Sequence, residues 1–423
     1  MAYSWDCSRE VHLDVWLNTG AQGVAPDQIN GCWRGHVKLS LCGFGHQEKR
    51  NLNCTRQPRQ IAYLSTDTKL LLFITTGEIR WMRLENKRQG INFNLLRTMF
   101  HKEKSIQLKN SASALYNNLS VLRIAPRRLT YFTVVHANVV NMVSTSWDGL
   151  NYSHRQLQSK EPNVATSTSL IMQAAFCALP SRDLLVVSSQ KGIQMYESDG
   201  SIMVYWHALD TPEAPTGVSS GAVLVFDVPS KGSNITLSEV LEEHKEAITD
   251  IASECSGSQE CLANLVTADD GGNMCVWKSG EEFQLLNKIP GLDITCSSVK
   301  LWKGTVLAGY GTGQIRLYEA VTGILHAEVN AHARWIYSLD VAPFSGLLLS
   351  AAEDSFVRVW HLAITPETNS VEIAHLHNEC VTDTQICGAK FCDGDGYAFA
   401  VTGYDLSEII RRVPASWTVS QDT

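Results

Sequence analysis

From residue 171 onward the chain reads as apolar runs of 5–9 residues punctuated by Gly, Asp, Asn or Pro. Within the runs apolar and polar positions alternate, β-branched and aromatic residues are enriched, and a 3.6-residue rhythm is nearly absent, so the runs predict β-strands rather than helices. The clearest unit is AHARWIYSLDVAPFSGLLLSAAEDSFVRVWHLA, Ala331 to Ala363. It places a His before a strand, a Pro/Gly turn, a small-residue strand, an acidic tight turn and a strand that runs through a Trp. The same order recurs in Glu242 to Ile289 and in Ile294 to His332. The third strands of these units carry Trp277, Tyr318 and Trp360, spaced 41 and 42 residues apart. A period of about 40–45 residues with four strands per unit predicts a WD-type β-propeller.

Further units lie at Leu119 to Ser146, Met172 to Leu209 and Val381 to Val413. The segment SIQLKNSASAL, Ser105 to Leu115, is placed to supply the missing outer strand of the last unit and close the ring, which removes the exposed strand edges. One unit does not add up. GAVLVFDV, Gly221 to Val228, and ITLSEVL read as third and fourth strands, but only TPEAPTGVSS, Thr211 to Ser220, precedes them. Two inner strands of about 5–6 residues each, with turns, do not fit there. The expectation is therefore an all-β, seven-bladed WD-type propeller over residues 99–413 whose third blade is truncated around 211–220. It is preceded by a poorly structured extension, residues 1–98, and followed by a tail, residues 414–423.

Charge separates the extension from the body. Residues 1–98 hold 13 Lys and Arg against 8 Asp and Glu, whereas the remainder holds 22 against 35. An acidic body lacks the basic face that phosphate neutralisation requires, which argues against a dedicated nucleic-acid binder. No apolar run approaches the ~20 residues of a membrane span, and the first twenty residues carry Asp6, Arg9, Glu10 and Asp14 in place of a signal-peptide hydrophobic region. Twelve Cys scattered over 423 residues suit reduced thiols in the cytoplasm better than a disulfide framework.

The stretches YESDGSIMVYWHALD, VTADDGGNMCVW, LAGYGTGQ, AHARWIYSLD and ECVTDTQICGAKFCD…FAVTGYDLSEI resemble the WD repeat-containing protein 54 family of β-propellers, from about Met99 to about Arg412. That resemblance implies a propeller with an interaction or scaffolding role and no catalytic activity. The sequence departs from the family's pattern in residues 1–98, at Thr211 to Ser220, where about twenty residues are lacking, and after Arg412.

Two sets of residues then compete as chemistry. His332, Ser350, Asp354 and Trp360 look like a Ser/His/Asp triad with an added Trp, and His244, Thr267, Asp270 and Trp277 form a partial copy with the turn one residue out of register. A triad needs to occur once, whereas this set repeats with the blades, so a structural hydrogen-bond chain is the better reading. Cys32, His36, Cys42 and His46 offer two thiolates and two imidazoles, but the alternating order is unlike known zinc-finger spacing. Cys387 and Cys392 read as small core residues rather than ligands, and GYGTG, Gly309 to Gly313, lacks the remainder of a phosphate loop. No cofactor and no catalytic residue is assigned.

The expected function is a non-enzymatic cytoplasmic scaffold or adaptor in a signalling or regulatory assembly, binding other proteins. Its partner-binding face is expected where outer-to-inner loops and second-to-third-strand turns gather: Gln190, Lys191, Asp269, Tyr310, Arg334, Trp335, Glu353 and Tyr404. An incomplete blade also allows self-association through its unpaired edge, and peripheral membrane association through partners stays open. A propeller hydrolase with a channel-mouth site is the rival. A ubiquitin-ligase substrate receptor is another, although neither Trp360-His361-Leu362 nor Trp147-Asp148-Gly149-Leu150 continues as W-D-x-R.

Overall fold

The computed structural model describes residues 100–147, 151–159, 169–179, 182–208, 221–254, 263–365, 370–381 and 383–414. Before residue 100 it describes the backbone of the strands Val15–Trp16, Gln60–Ser65 and Lys69–Thr75. The zinc candidates Cys32, His36, Cys42 and His46, the segment Thr211 to Ser220 and residues 415–423 of the tail lie outside the described residues.

Six small sheets form blades, each running antiparallel from an inner to an outer strand. Blade one consists of Ser120–Ile124, Leu129–His136, Val139–Ser146 and Tyr152–Gln158, and blade two of Ile171–Ala178, Asp183–Ser189, Gly192–Glu197 and Met203–Ala208. Blade three runs through Ile248–Ser253, Leu265–Asp269, Met274–Lys278 and Gln284–Ile289. Blade four comprises Cys296–Trp302, Thr305–Tyr310, Gln314–Glu319 and Leu325–Asn330. Blade five comprises Ile336–Ala342, Leu347–Ala352, Phe356–Thr365 and Ser370–Cys380. Blade six takes Ile386–Phe391, Phe399–Gly403 and Glu408–Pro414 from the end of the chain and its outer edge from Phe100–Lys102 and Ile106–Gln107.

The alternation in the sequence follows from position in a blade. Leu347–Ala352 is buried at every residue because neighbouring blades cover both faces of a second strand. Gln284–Ile289, an outer strand at the rim, alternates exposed and half-buried positions up to its buried last residue. The 41- and 42-residue spacing also has a local geometry. A register shift separates Val276 from Trp277, Leu317 from Tyr318 and Val359 from Trp360, so each large ring sits at a bulge in the same place of its blade.

Between blades two and three stands a mixed sheet. Ala222–Asp227 pairs antiparallel with Thr236–Leu241, as a third and fourth strand should. On its inner side it pairs in parallel with Lys69–Thr75, from Ala222↔Lys69 to Asp227↔Ile74, and Gln60–Ser65 pairs antiparallel with that strand. Gln60–Ser65 then contacts the inner strands of blades two and three. The inner-strand places that Thr211 to Ser220 is too short to fill are thus occupied by a hairpin from the basic first hundred residues.

Closure of the last blade uses the expected segment but begins before it. Phe100–Lys102 pairs with Arg412 to Pro414, and within Ser105 to Leu115 the strand Ile106–Gln107 pairs with Glu408 and Ile409. Leu108 then donates its N–H to Ser407 O at 2.9 Å, and Ala112 bridges Tyr404 and donates to Leu406 O. Only past Ala112 does the chain turn toward blade one, where the Ser113 N–H donates to Val135 O.

Candidate interaction faces and the plugged channel

A cavity of about 340 Å³ is lined by residues from the inner strands of all six blades, including Gln173, Ser253, Lys300, Asp340 and Lys390, and is therefore the central channel. Its charges are cancelled in pairs. Asp250 accepts hydrogen bonds from Ser298 Oγ (2.9 Å), the Val299 N–H (2.9 Å) and Lys300 Nζ (3.1 Å), which ties blade three to blade four. Asp340 accepts from Lys390 Nζ (2.9 Å) and the Phe391 N–H (2.8 Å), which ties blade five to blade six in the same way. Both pairs are 50 residues apart, a repeated Asp-to-Lys spacing that was visible in the sequence.

At one end of the channel the segment Ser113 to Asn118 bonds to the inner parts of four blades. Asn117, in a left-handed conformation (φ 52°) that Asn tolerates well, sets its side-chain amide 3.1 Å from both Ser298 Oγ and Ser338 Oγ and donates its backbone N–H to Tyr337 O at 2.9 Å. The next residue, Asn118, donates its side-chain amide to Ser113 O and Val135 O and accepts the Val135 N–H at 2.8 Å. Gly388 makes the approach feasible, since a Cβ there would lie 2.6 Å from the backbone carbon of Asn118. Tyr116 stacks on Trp335 with ring centroids 6.2 Å apart and planes within 2°, and Gly311 packs against the same indole.

The two suspected chemical sets lie inside blades. In blade five Trp360 Nε1 donates to Ser350 Oγ (3.0 Å), Ser350 Oγ lies 2.8 Å from His332 Nε2, and His332 Nδ1 lies 3.0 Å from the Asp354 carboxylate. Burial lowers the His332 pKa, and the Arg358 guanidinium, 2.8 Å from Nδ1, also opposes protonation, so the ring is neutral and its Nδ1–H donates to Asp354. Burial alone would raise the Asp354 carboxyl. Donation from His332 and the Ala333 N–H, together with Arg358, outweighs it and holds the group at about 2.

Blade three repeats the chain: Trp277 Nε1 donates to Thr267 Oγ1 (3.1 Å), which lies 2.7 Å from His244 Nε2. Here the sequence expectation needs correction. The carboxylate on His244 Nδ1 is Asp269, at 2.9 Å, and not Asp270, which accepts from Thr295 Oγ1 instead. The strand Leu265–Asp269 ends with Asp269 directed inward, so its successor faces out into the turn. Asp269 is for that reason buried and is removed from the expected binding face.

Tyr310 leaves that face too. It is buried in blade four, where its hydroxyl lies 3.1 Å from that of Tyr318 and the Arg316 guanidinium sits 5.1 Å from its ring. Blade four has Leu292, not His, at the position that His244 and His332 take in blades three and five, and its buried polar pair is these two tyrosines. Gln190, Lys191, Arg334, Trp335 and Tyr404 are exposed, and Glu353 is half-buried with its N–H donating to Trp335 O.

Three of the described thiols are held protonated by burial. Burial pushes Cys275 and Cys387 up to about 12 and Cys392 to about 11, far from the thiolate that metal binding or nucleophilic attack needs. Among the described residues no group of three or more His, Cys, Asp or Glu is placed to hold a metal ion, and no helix is long and apolar enough to cross a membrane.

Four-stranded blades with recurrent bulges, a His–Ser/Thr–Trp chain inside two of them and a polar axial channel define a WD-repeat β-propeller. A solved chain from a crystal structure titled Mitotic Checkpoint Complex superposes with a TM-score of 0.55 at 14% identity, over 80% of this chain and 99% of that one, which is a likeness of fold. The family model WDR54 matches residues 99–415. WD repeat-containing protein 54 of Mus musculus is 53% identical over 331 residues, covering 74% of this chain and 99% of the relative, and that of Homo sapiens matches equally. The chain belongs to the WD repeat-containing protein 54 family. Nuclear distribution protein PAC1 of Arthroderma benhamiae is a distant relative, 23% identical over 34% of this chain and 33% of its own length.

Proposed function

We propose that this chain is a non-enzymatic, cytoplasmic interaction scaffold, and that its ring has seven positions, the third held by the mixed sheet. The carrying observation is that the potential acid–base chemistry is enclosed. Ser350 and Thr267 are fully buried, and their His partners are within a few per cent of it. A nucleophile in that setting meets no substrate, whereas a hydrogen-bond chain repeated in two blades fixes strand positions and holds the turns rigid. Against the hydrolase alternative, the channel carboxylates Asp250 and Asp340 are already bonded to lysines and backbone N–H groups. The ligase-receptor alternative has no further support, since neither Trp147 nor Trp360 is followed by the required Arg.

The surface around Arg334, Trp335, Glu353 and Tyr404, with Gln190 and Lys191 farther round the ring, is the proposed first partner-binding face. Trp335 packs against Tyr116 and Gly311 and still presents 37% of its surface, which is how a preorganised anchor is built. Quantitative affinity purification from cells, comparing wild type with the double variant Arg334→Ala/Trp335→Ala, tests the scaffold. Expected is a set of proteins retained by wild type and depleted at least fivefold by the variant. Identical recoveries would remove this face, and turnover of general ester, phosphate or peptide substrates by the purified chain would remove the non-enzymatic reading.

A further inference from the structure

The turns at the opposite ends of the strands carry the largest exposed aromatic surface near the channel. Phe344, in the first turn of blade five, is 80% exposed. It does not dangle: its N–H donates to Gly394 O at 3.1 Å, and its ring lies over Gly394, where a Cβ would come within 2.6 Å. The Gly394 turn in blade six is itself fixed, because the Asp393 carboxylate accepts the N–H groups of Asp395, Tyr397 and Ala398 at 3.0–3.1 Å. Tyr397 leaves that turn 46% exposed. On the far side, Asp395 feels the charge of Arg123 in blade one, and the Arg123 guanidinium stacks 4.1 Å above Trp147, which is 39% exposed.

The same end of blade one adds charge. Ala125–Arg127 is a 3-10 turn closed by Arg128 in the left-handed region (φ 50°), and Arg128 O accepts the Trp147 N–H at 3.1 Å. Arg127 and Arg128 are exposed, and among the described residues neither has an ion-pair partner. Three arginines outnumber the two carboxylates of the strip, and one of these, Asp393, is spent on backbone N–H groups, whereas the chain as a whole has formal net charge −8 and its opposite face exposes Glu242, Glu246, Asp270 and Asp405. Aromatic rings set beside unpaired guanidinium groups on bonded turns favour a partner that brings both apolar surface and carboxylates.

We propose that the strip formed by Phe344, Tyr397, Trp147, Arg123, Arg127 and Arg128 is a second docking surface, and that its occupant is an extended acidic peptide segment with large apolar side chains. The proposal rests on the scaffold reading but not on the Trp335 face. Phe344 and Tyr397 receive the apolar side chains, and the arginines of blade one pair with the carboxylates. A nucleic acid can also stack bases on these rings, but its unbroken run of phosphates would meet Asp393 and Asp395 within the strip and a chain of formal net charge −8 around it, whereas a peptide can set a few carboxylates at the arginines alone.

The full-length chain is used to select from a phage-displayed library of random 12-residue peptides, and the enriched peptides are synthesised with fluorescein for anisotropy titration. Expected are sequences rich in Asp, Glu, Leu and Phe that bind at least tenfold more weakly to Arg127→Glu/Arg128→Glu and to Phe344→Ala. Raised salt should weaken them, and Arg334→Ala/Trp335→Ala should leave them unchanged. Unfolding midpoints equal to wild type keep a loss of binding from being a loss of fold. Peptides without acidic residues, peptides sensitive only to the Trp335-face variant, or no enrichment would each overturn this surface. The second of these outcomes would leave the scaffold reading standing, while a fluorescein-labelled oligonucleotide that competes and shares the same variant sensitivity would assign the strip to nucleic acid instead.

Discussion

Replacing Ser350 with Ala separates a structural hydrogen-bond chain from a catalytic triad. Ser350 is fully buried, and its Oγ accepts from Trp360 Nε1 at 3.0 Å while lying 2.8 Å from His332 Nε2. Both partners are themselves enclosed, with His332's side chain wholly inaccessible and Trp360 2% exposed. The substitution removes one oxygen and strands two polar groups, an indole N–H without an acceptor and an imidazole nitrogen without a donor. The void left is too small for a replacement water. Each orphaned buried group costs about 1–3 kcal/mol, so the loss should fall near 3 kcal/mol and within about 2–6 kcal/mol. Urea unfolding followed by Trp fluorescence reads it as a shift of midpoint at unchanged slope. Ser230→Ala, on an exposed loop, is the control and should stay within about 0.5 kcal/mol of wild type. Thr267→Val in blade three, at the same place in the copied chain, should lose a similar amount. A Ser350→Ala protein as stable as the control would refute the chain as a stabilising device, and a triad would instead predict normal stability with an activity abolished.

Two further outcomes follow from the same geometry. Because burial lowers the His332 pKa below its ordinary 6.5, the unfolded chain takes up a proton below that pH which the folded chain refuses. Stability should therefore fall as pH drops below about 6.5, by about 1.4 kcal/mol per pH unit for this group, and Asp354, held at about 2 from 3.8, should add a loss only below about pH 4. Urea midpoints measured from pH 7 to 5 check this, with His332→Gln expected to flatten the slope; an unchanged slope would refute it. In the mixed sheet, Leu72→Pro removes a backbone donor opposite Val225 and should speed hydrogen exchange across Ala222–Asp227 at least tenfold, whereas unaltered exchange would mean that the parallel pairing does not protect that strand.

Much of this molecule was legible from period alone. The spacing of Trp277, Tyr318 and Trp360 carried the blade repeat because blades three to five place a large ring at the same bulge, and strand alternation carried burial because the rim strands meet water. His332, Ser350, Asp354 and Trp360 come together from within one unit of sequence, so local order was enough to group them. The shortfall before Gly221 was likewise countable.

Tertiary structure decided what depends on contacts between distant units. Which of Asp269 and Asp270 faces His244 turned on a single residue of strand register, because side chains alternate faces and a one-residue change reverses burial. Tyr310 looked like a turn residue until blade four was seen to carry Leu292 in place of the His and to bury Tyr310 beside Tyr318. Asn117 joins the channel wall by reaching Ser298 and Ser338, 181 and 221 residues away, and no local pattern encodes such a partner. Nor does the sequence near Ala222–Asp227 announce that its neighbour is Lys69–Thr75, since a strand edge specifies backbone hydrogen bonds but not which chain segment supplies them. Periodicity fixes what repeats within a blade; closure of the ring, and whatever completes it, is settled only when the blades meet around one axis.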